Sequence, residues 1–284
     1  MKELSLIVYD NSKPHFILRI TSVLIIFFIA ATAQAQSLIP ELTFKNPVLK
    51  TGKGCQGDGL DGAVYIFENV GWNVDALVTI LGRSSADVTL SATDIQGPEQ
   101  DSVNGTGYDN AWQPRIKFAD GKAPAHETWW MEFKISFVKH FDRNTSISVN
   151  QFFVSGLDID GDGNQLHEFQ SYYKMHFFSL EPQTAVFAST VQGSEMDPLL
   201  KGKRFDGSSK NYPGISVTAE DAMVSNFYTN SSSMVVRLGA ETGMTATKKA
   251  DRMYGLLFKS LVFDVPVPKK ALVNLVASNE GGYR

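Results

Sequence analysis

Between residues 128 and 137 the side chains alternate: Trp129, Met131, Phe133, Ile135 and Phe137 fall on one parity, and Trp130, Glu132, Lys134 and Ser136 on the other. Successive side chains of a strand point to opposite faces, so this period of two buries one face and leaves the other wet. A helix would scatter the five apolar residues around its circumference. The segment is therefore predicted as one strand of an antiparallel sheet packed on a single side.

Residues 64–67, 76–81, 88–95, 147–157, 172–180, 185–191, 234–238 and 254–265 are further short runs of β-branched and aromatic residues, separated by Gly, Asn and Asp clusters. No segment shows a competing helical period. The expected fold is all-β: a two-sheet antiparallel sandwich with jelly-roll or Greek-key connections and about ten to twelve strands. Residues 97–110 and 201–212 are expected to be polar loops, of the kind that often carries binding residues.

The chain begins with a different kind of segment. Residues 20–31 form a short apolar run preceded by Lys13 and Arg19 and followed by Ala33-Gln34-Ala35. Such a run is too short to span a bilayer comfortably and has a small-x-small site behind it, the pattern of a secretory signal peptide cleaved after Ala35. The expected organisation is a signal at 1–35, a Gly- and Pro-rich lead-in at 36–62, one sandwich domain at 63–265 and a tail at 266–284. One domain suits this length, because all-β sandwiches run to about 200–250 residues as a unit. The product is expected to be secreted, periplasmic or on the cell surface, with no transmembrane segment once the signal is removed.

The formal net charge is −4, and losing the leader makes it one unit more acidic. Nucleic acid is excluded as a partner on that ground. Cys55 is the single cysteine, so an intrachain disulfide is excluded as well.

The strongest local signal is the run Asp158-Ile159-Asp160-Gly161-Asp162-Gly163-Asn164, followed by His167 and Glu168. Calcium takes six to eight oxygens, and carboxylates at alternate positions of a tight turn can converge on one point. Asp158, Asp160, Asp162, a carbonyl near Asn164 and Glu168 are the expected calcium ligands. Asp-Gly and Gly-Asn also favour a plain hairpin turn. Mutual repulsion among crowded carboxylates is the reason to prefer a cation.

The turn resembles the first half of an EF-hand loop, Asp-x-Asp-x-Asp-Gly, but Glu168 falls one place short of that family's twelfth position, and a strand rather than a helix is expected next. More widely, the strand that opens at Asp75-Ala76-Leu77-Val78, the Asp158-to-Gly161 turn and the leader together resemble secreted β-sandwich modules of Gram-negative surface and adhesin-like proteins. That resemblance implies a non-catalytic binding or adhesion module whose partner is an extracellular glycan or surface protein. Such modules are often followed by a surface-sorting domain, which does not follow here, so a soluble or periplasmic product is expected.

Catalysis finds less support. Glu127 and Glu132, the carboxylates beside Trp129 and Trp130, are separated by an odd number and point to opposite faces of one strand. The histidines sit in no Ser-His-Asp or Cys-His context, and Gly193-Ser194-Glu195 lacks the glycine pattern of a nucleophile elbow. The alternative within the binding class is a carbohydrate-binding module, with Trp130, Trp112 and Tyr172 as candidate rings for stacking on sugars.

Overall fold

The computed structural model describes residues 39–95, 110–261, 263 and 267–270. The expected signal peptide, nearly all of the loop at 97–110 and most of the tail lie outside these residues.

In chain order the strands are β1 (Val48–Leu49), β2 (Val64–Gly71), β3 (Val74–Arg83), β4 (Val88–Ala92), β5 (Arg115–Phe118), β6 (Thr128–Lys139), β7 (Asp142–Ser146), β8 (Val149–Leu157) and β9 (Leu166–Tyr173), then β10 (Phe177–Leu180), β11 (Phe187–Gln192), β12 (Lys201–Asp206), β13 (Val224–Ser231), β14 (Ser233–Thr242), β15 (Asp251–Met253), β16 (Gly255–Leu257) and β17 (Val267–Lys270). They form three sheets. The largest runs β1-β2-β3-β6-β14-β9-β12-β11, with β7 hydrogen-bonded to β6. A second runs β16-β8-β13-β10-β17, and a short third runs β15-β5-β4. Every pairing is antiparallel, as the alternation in β6 demands.

The core lies between the sheets. Trp129, Met131, Phe133, Ile135 and Phe137 of β6 are all buried. Phe137 meets Phe152 of β8 edge-on at 5.1 Å, and Phe152 stacks on Tyr228 of β13 at 5.1 Å. At the other end of β6, Trp129 packs on Phe118 of the third sheet. Each such ring contributes about 1.5–3 kcal/mol by leaving water.

Four expectations need revision. The segment before residue 63 is part of the domain: Leu42 and Phe44 are buried, Phe44 stacks on Phe258 at 4.0 Å, and β1 pairs with β2. The run 172–180 is broken by Lys174, whose φ of 59° turns the chain from β9 in the large sheet to β10 in the second. The first half of the expected 201–212 loop is β12. Finally, β13 is a strand that the sequence pattern does not announce, because Ser225 and Asn226 interrupt its apolar run; both are fully buried, Ser225 sharing a hydrogen bond with Ser155 and the Asn226 amide donating to the Val154 carbonyl while its Oδ1 is left without a partner. Buried polar groups that find partners are tolerated in a core, and they erase the alternation that marks a strand.

Candidate functional site

The chain leaves β8 at Leu157 and enters β9 at Leu166, and the acidic turn is the connection between the second and the large sheet. Asp158 takes a left-handed φ of 54°, a region Asp tolerates better than most residues. Ile159, fully buried, hydrogen-bonds through its N–H to the Ala222 carbonyl, and Glu168 N–H donates to the Asp160 carbonyl at 2.7 Å. These contacts turn Asp158, Asp160 and Glu168 inward, where each is at most 4% exposed.

One cation serves the cluster. Arg252 of β15 donates to Glu168 Oε1 at 2.5 Å, to Asp160 Oδ1 at 2.8 Å and to the Gly161 carbonyl at 3.1 Å. Asp160 Oδ2 accepts the Tyr212 N–H at 2.6 Å. Asp158 has a backbone hydrogen bond with Ser216, but its Oδ1 is buried without a partner, as is Glu168 Oε2.

Burial, reinforced by the charges of Asp160 and Glu168, pushes the Asp158 carboxyl up to about 9. Burial likewise raises Glu168 to about 8 and Asp160 to about 6, with Arg252 opposing both shifts. Burial works against the charge on Arg252 too, but the Glu168 and Asp160 carboxylates outweigh it and hold the guanidinium protonated.

The other expected ligands are placed elsewhere. Asp162 caps its own turn: Oδ1 accepts the N–H groups of Asn164, Gln165 and Leu166, and Oδ2 accepts the Thr247 hydroxyl at 2.8 Å. These donors outweigh burial and lower its pKa. Asn164 is exposed. The five expected calcium ligands therefore do not converge, and among the described residues no three His, Cys, Asp or Glu side chains are grouped to hold a metal. Tyr212, Thr247 and Arg252, which complete the cluster, lie far along the chain from the turn they serve, and no local motif marks them.

Beside the cluster is a cavity of about 230 Å³ bordered by Asp158, Arg252, Tyr212, Ile215, Met253 and the Arg115–Asp251 ion pair.

The candidate sugar-stacking rings are mostly unavailable. Trp112 is fully buried, edge-on to Phe133 with its indole N–H on the Thr93 carbonyl, and Tyr172 is fully buried beside Phe205. Both are core residues rather than ligand platforms. Trp130 is half-buried, and one face carries the Arg237 guanidinium at 3.9 Å. The outer face of β6 is also less wet than expected, since the loop after β11 lies across it. Glu132 there is fully buried, paired with Arg237 at 2.7 Å and accepting the Glu195 N–H at 2.8 Å.

The two most exposed aromatics lie at the opposite end of the large sheet, and Phe187 of β11 is exposed apart from them at its edge. Trp72, between β2 and β3, is 95% exposed, and Phe141, between β6 and β7, is 89% exposed. The two tips are neighbours: Val74 pairs with Lys139, and the His140 N–H donates to the Asn73 carbonyl at 3.1 Å. Asp75, fully buried, fastens both by accepting the Asn69 N–H at 2.9 Å, contacting His140 Nδ1 at 2.7 Å and accepting Arg143 Nε at 2.9 Å. Together these partners outweigh burial and lower the Asp75 pKa. The sequence held a signal for Trp72, a large ring inside the turn Gly71-Trp72-Asn73 between two predicted strands.

The sequence matches no protein-family description and no curated protein. Among solved structures, the crystal structure of the N-terminal domain of the Streptococcus gordonii adhesin Sgo0707 matches 80% of this chain with a TM-score of 0.41 and 12% identity. The chain spans 59% of the length of that chain. Among the described residues no helix is long and apolar enough to cross a membrane.

Proposed function

We propose that the chain is a secreted, non-catalytic binding module of the adhesion type, and that it engages an extracellular glycan or surface protein through the aromatic end of its large sheet. The observation that carries this reading is the pair of exposed rings, Trp72 and Phe141, on adjacent hairpin tips fastened by the buried Asp75. Exposed rings on fixed tips lose little entropy on binding, and aromatic anchors of this kind dominate interface energies. The acidic end supports the non-catalytic part of the reading. Its Asp160 and Glu168 carboxylates are buried against Arg252 instead of facing a substrate across a cleft.

The test is binding of the full chain to an extracellular glycan array and to intact cells, compared with Trp72→Ala/Phe141→Ala. Loss of both rings is expected to weaken binding at least tenfold while changing stability by less than about 0.5 kcal/mol per site, as for other exposed positions. Undiminished binding by a folded double variant sinks the reading.

A structural calcium ion is the second reading, favoured by the partnerless oxygens of Asp158 and Glu168. It predicts a rise of several degrees in melting temperature on moving from chelator to calcium, with no rise in magnesium. An unchanged melting curve leaves Arg252 as the cation that the cluster relies on.

A further inference from the structure

We infer that the open edge of the large sheet, strand β11, is the surface through which two copies of this chain pair, antiparallel and edge to edge. Among the described residues β11 ends its sheet, and its six residues are all exposed or half-buried, Phe187 being 70% exposed. An open edge offers unpaired N–H and C=O groups to any strand that fits, and folded chains guard such edges with brevity, charge, proline or a bulge. The other edges here are guarded. β1 has two residues and β16 three, β17 contains Pro268, Lys269 and Lys270, β15 contains Asp251 and Arg252, and β4 and β7 shift register against their neighbours. β11 contains no charge, proline or glycine, and its register with β12 is unbroken.

The register identifies the groups on offer. Past the end of β11 the Gly193 N–H donates to the Leu200 carbonyl, and past the end of β12 the Gly207 N–H donates to the Glu168 carbonyl on the β9 side. Hydrogen-bonded pairs alternate along an antiparallel ladder. Phe187, Ser189 and Val191 therefore bond to β12, whereas Ala188, Thr190 and Gln192 turn their N–H and C=O groups to the open edge.

The strand is complementary to itself. Opposing residues share a face of the sheet, and a two-fold axis at Ser189 sets Phe187 against Val191 of the other copy, Ser189 against Ser189, and Ala188 against Thr190 as a hydrogen-bonded pair. Aromatic–β-branched pairs favour antiparallel strands, and no like charges meet. Moving the axis to Thr190 would set Phe187 against Gly193, whose φ of 92° has already left the strand. The contact uses up the open edge of both copies, so assembly closes at two. An interface built on one strand is small, and a dissociation constant of about micromolar or weaker is expected. The axis stands perpendicular to the sheet, which points the aromatic tips of the two copies in roughly opposite directions. Where those tips bind as proposed above, the pair links two surfaces; the dimer itself does not rest on that reading.

Sedimentation velocity of the full chain across a concentration series is expected to show a monomer–dimer equilibrium. Thr190→Pro removes an N–H from the open edge and none from the β12 ladder, giving up one exposed bond from Lys203. Ser189→Lys sets two like charges against each other at the axis and carries the test if the proline variant does not fold. Each is expected to weaken the dimer at least tenfold with the circular dichroism of wild type. Register is tested by cross-linking after Cys55→Ser removes the native thiol. Ser189→Cys brings two Cα atoms to about 4.5 Å, within disulfide reach, and mild oxidation is expected to join the copies; Phe187→Cys, separated from its mate by roughly 13 Å, is expected to join them far less. A monomer throughout the series overturns the proposal, including one whose Ala188 and Thr190 amides resist hydrogen exchange because another segment of the same chain fills the edge. A dimer that survives folded Ser189→Lys, or that cross-links equally through Phe187→Cys, overturns it as well. Trp72→Ala/Phe141→Ala is expected to leave the dimer intact. Loss of the dimer in that variant would move the interface to the rings, whereas loss of glycan or cell binding alone leaves the β11 pairing standing.

Discussion

At the Thr128 end of β6 two buried carboxylates, Asp160 and Glu168, share one arginine, whereas at the Lys139 end a single buried carboxylate, Asp75, is served by a backbone N–H, a histidine and an arginine. The strand between them spans roughly 40 Å at about 3.3 Å per residue, so the two ends do not share solvent screening or partners. The same chemical group is thus short of donors at one end and fully supplied at the other. Its acidity follows: burial wins at Asp158, Asp160 and Glu168, and hydrogen bonding wins at Asp75. A satisfied carboxylate makes a rigid mount, which suits the exposed rings it fastens. An unsatisfied one is a place where the molecule still gains from a further cation.

The comparison breaks most visibly at Arg252. Arg252→Met keeps much of the length of the side chain and removes the charge shared by Asp160 and Glu168. Taking one partner from a buried ion pair costs about 3–5 kcal/mol, and urea unfolding at neutral pH is expected to show a loss of that size. A loss below about 1 kcal/mol would mean that protonation alone satisfies the acids and that the arginine is dispensable.

At the other end, Asp75→Asn preserves shape but gives up charge-assisted bonds to His140 and Arg143. Hydrogen bonds to charged groups are worth about 1.5–3 kcal/mol, so a loss of about 2 kcal/mol is expected. Because Asp75 ties the two hairpins together, chymotrypsin should also cut faster after Phe141 and Trp72 in this variant. Unchanged cleavage would show that the tips hold their positions without the aspartate.

How far each end is legible in the sequence follows from how local its determinants are. The alternation in β6 announces the all-β fold, because a period of two is written into consecutive residues from 128 to 137. The acidic turn is equally visible, and Asp158, Asp160 and Glu168 do come together. What the spacing does not carry is Arg252, which reaches the turn from β15, or the fate of Asp162, whose oxygens are taken by the N–H groups of its own turn and by Thr247. The exposed aromatics differ from expectation for a related reason. Trp112 and Tyr172 are buried because other elements cover them, a fact of tertiary packing, while Trp72 is exposed because it sits in a turn, a fact the flanking strands already contain. Alternation in β6 reports only that one face is buried and is silent on what covers the other; the loop over Glu132 arrives from the far side of β11.

The smallest effect offers the sharpest separation of the two ends, because they respond to pH with opposite sign. Asp75 and Asp162 have lowered folded pKa values, so the stability they contribute is present above the ordinary Asp value of 3.8 and is lost as pH falls below it. Asp158, Asp160 and Glu168 have raised values; their contribution is present below about pH 4 and is lost as pH rises through about 6, 8 and 9. Stability of the full chain, measured by urea unfolding without added cations, should therefore peak in mildly acid solution and decline from about pH 5 to about pH 9. Asp158→Asn removes the carboxyl that is raised furthest while Asp160, Glu168, Arg252 and Tyr254 continue to face the site. A tenfold change in acidity corresponds to about 1.4 kcal/mol, but the acids titrate together, so the variant is expected to gain only about 1–2 kcal/mol over wild type at about pH 9 and nothing at about pH 5. A wild-type curve that stays level or climbs over this range would mean that a counter-cation already neutralises the acidic end, and the two ends of β6 would then be alike in charge balance.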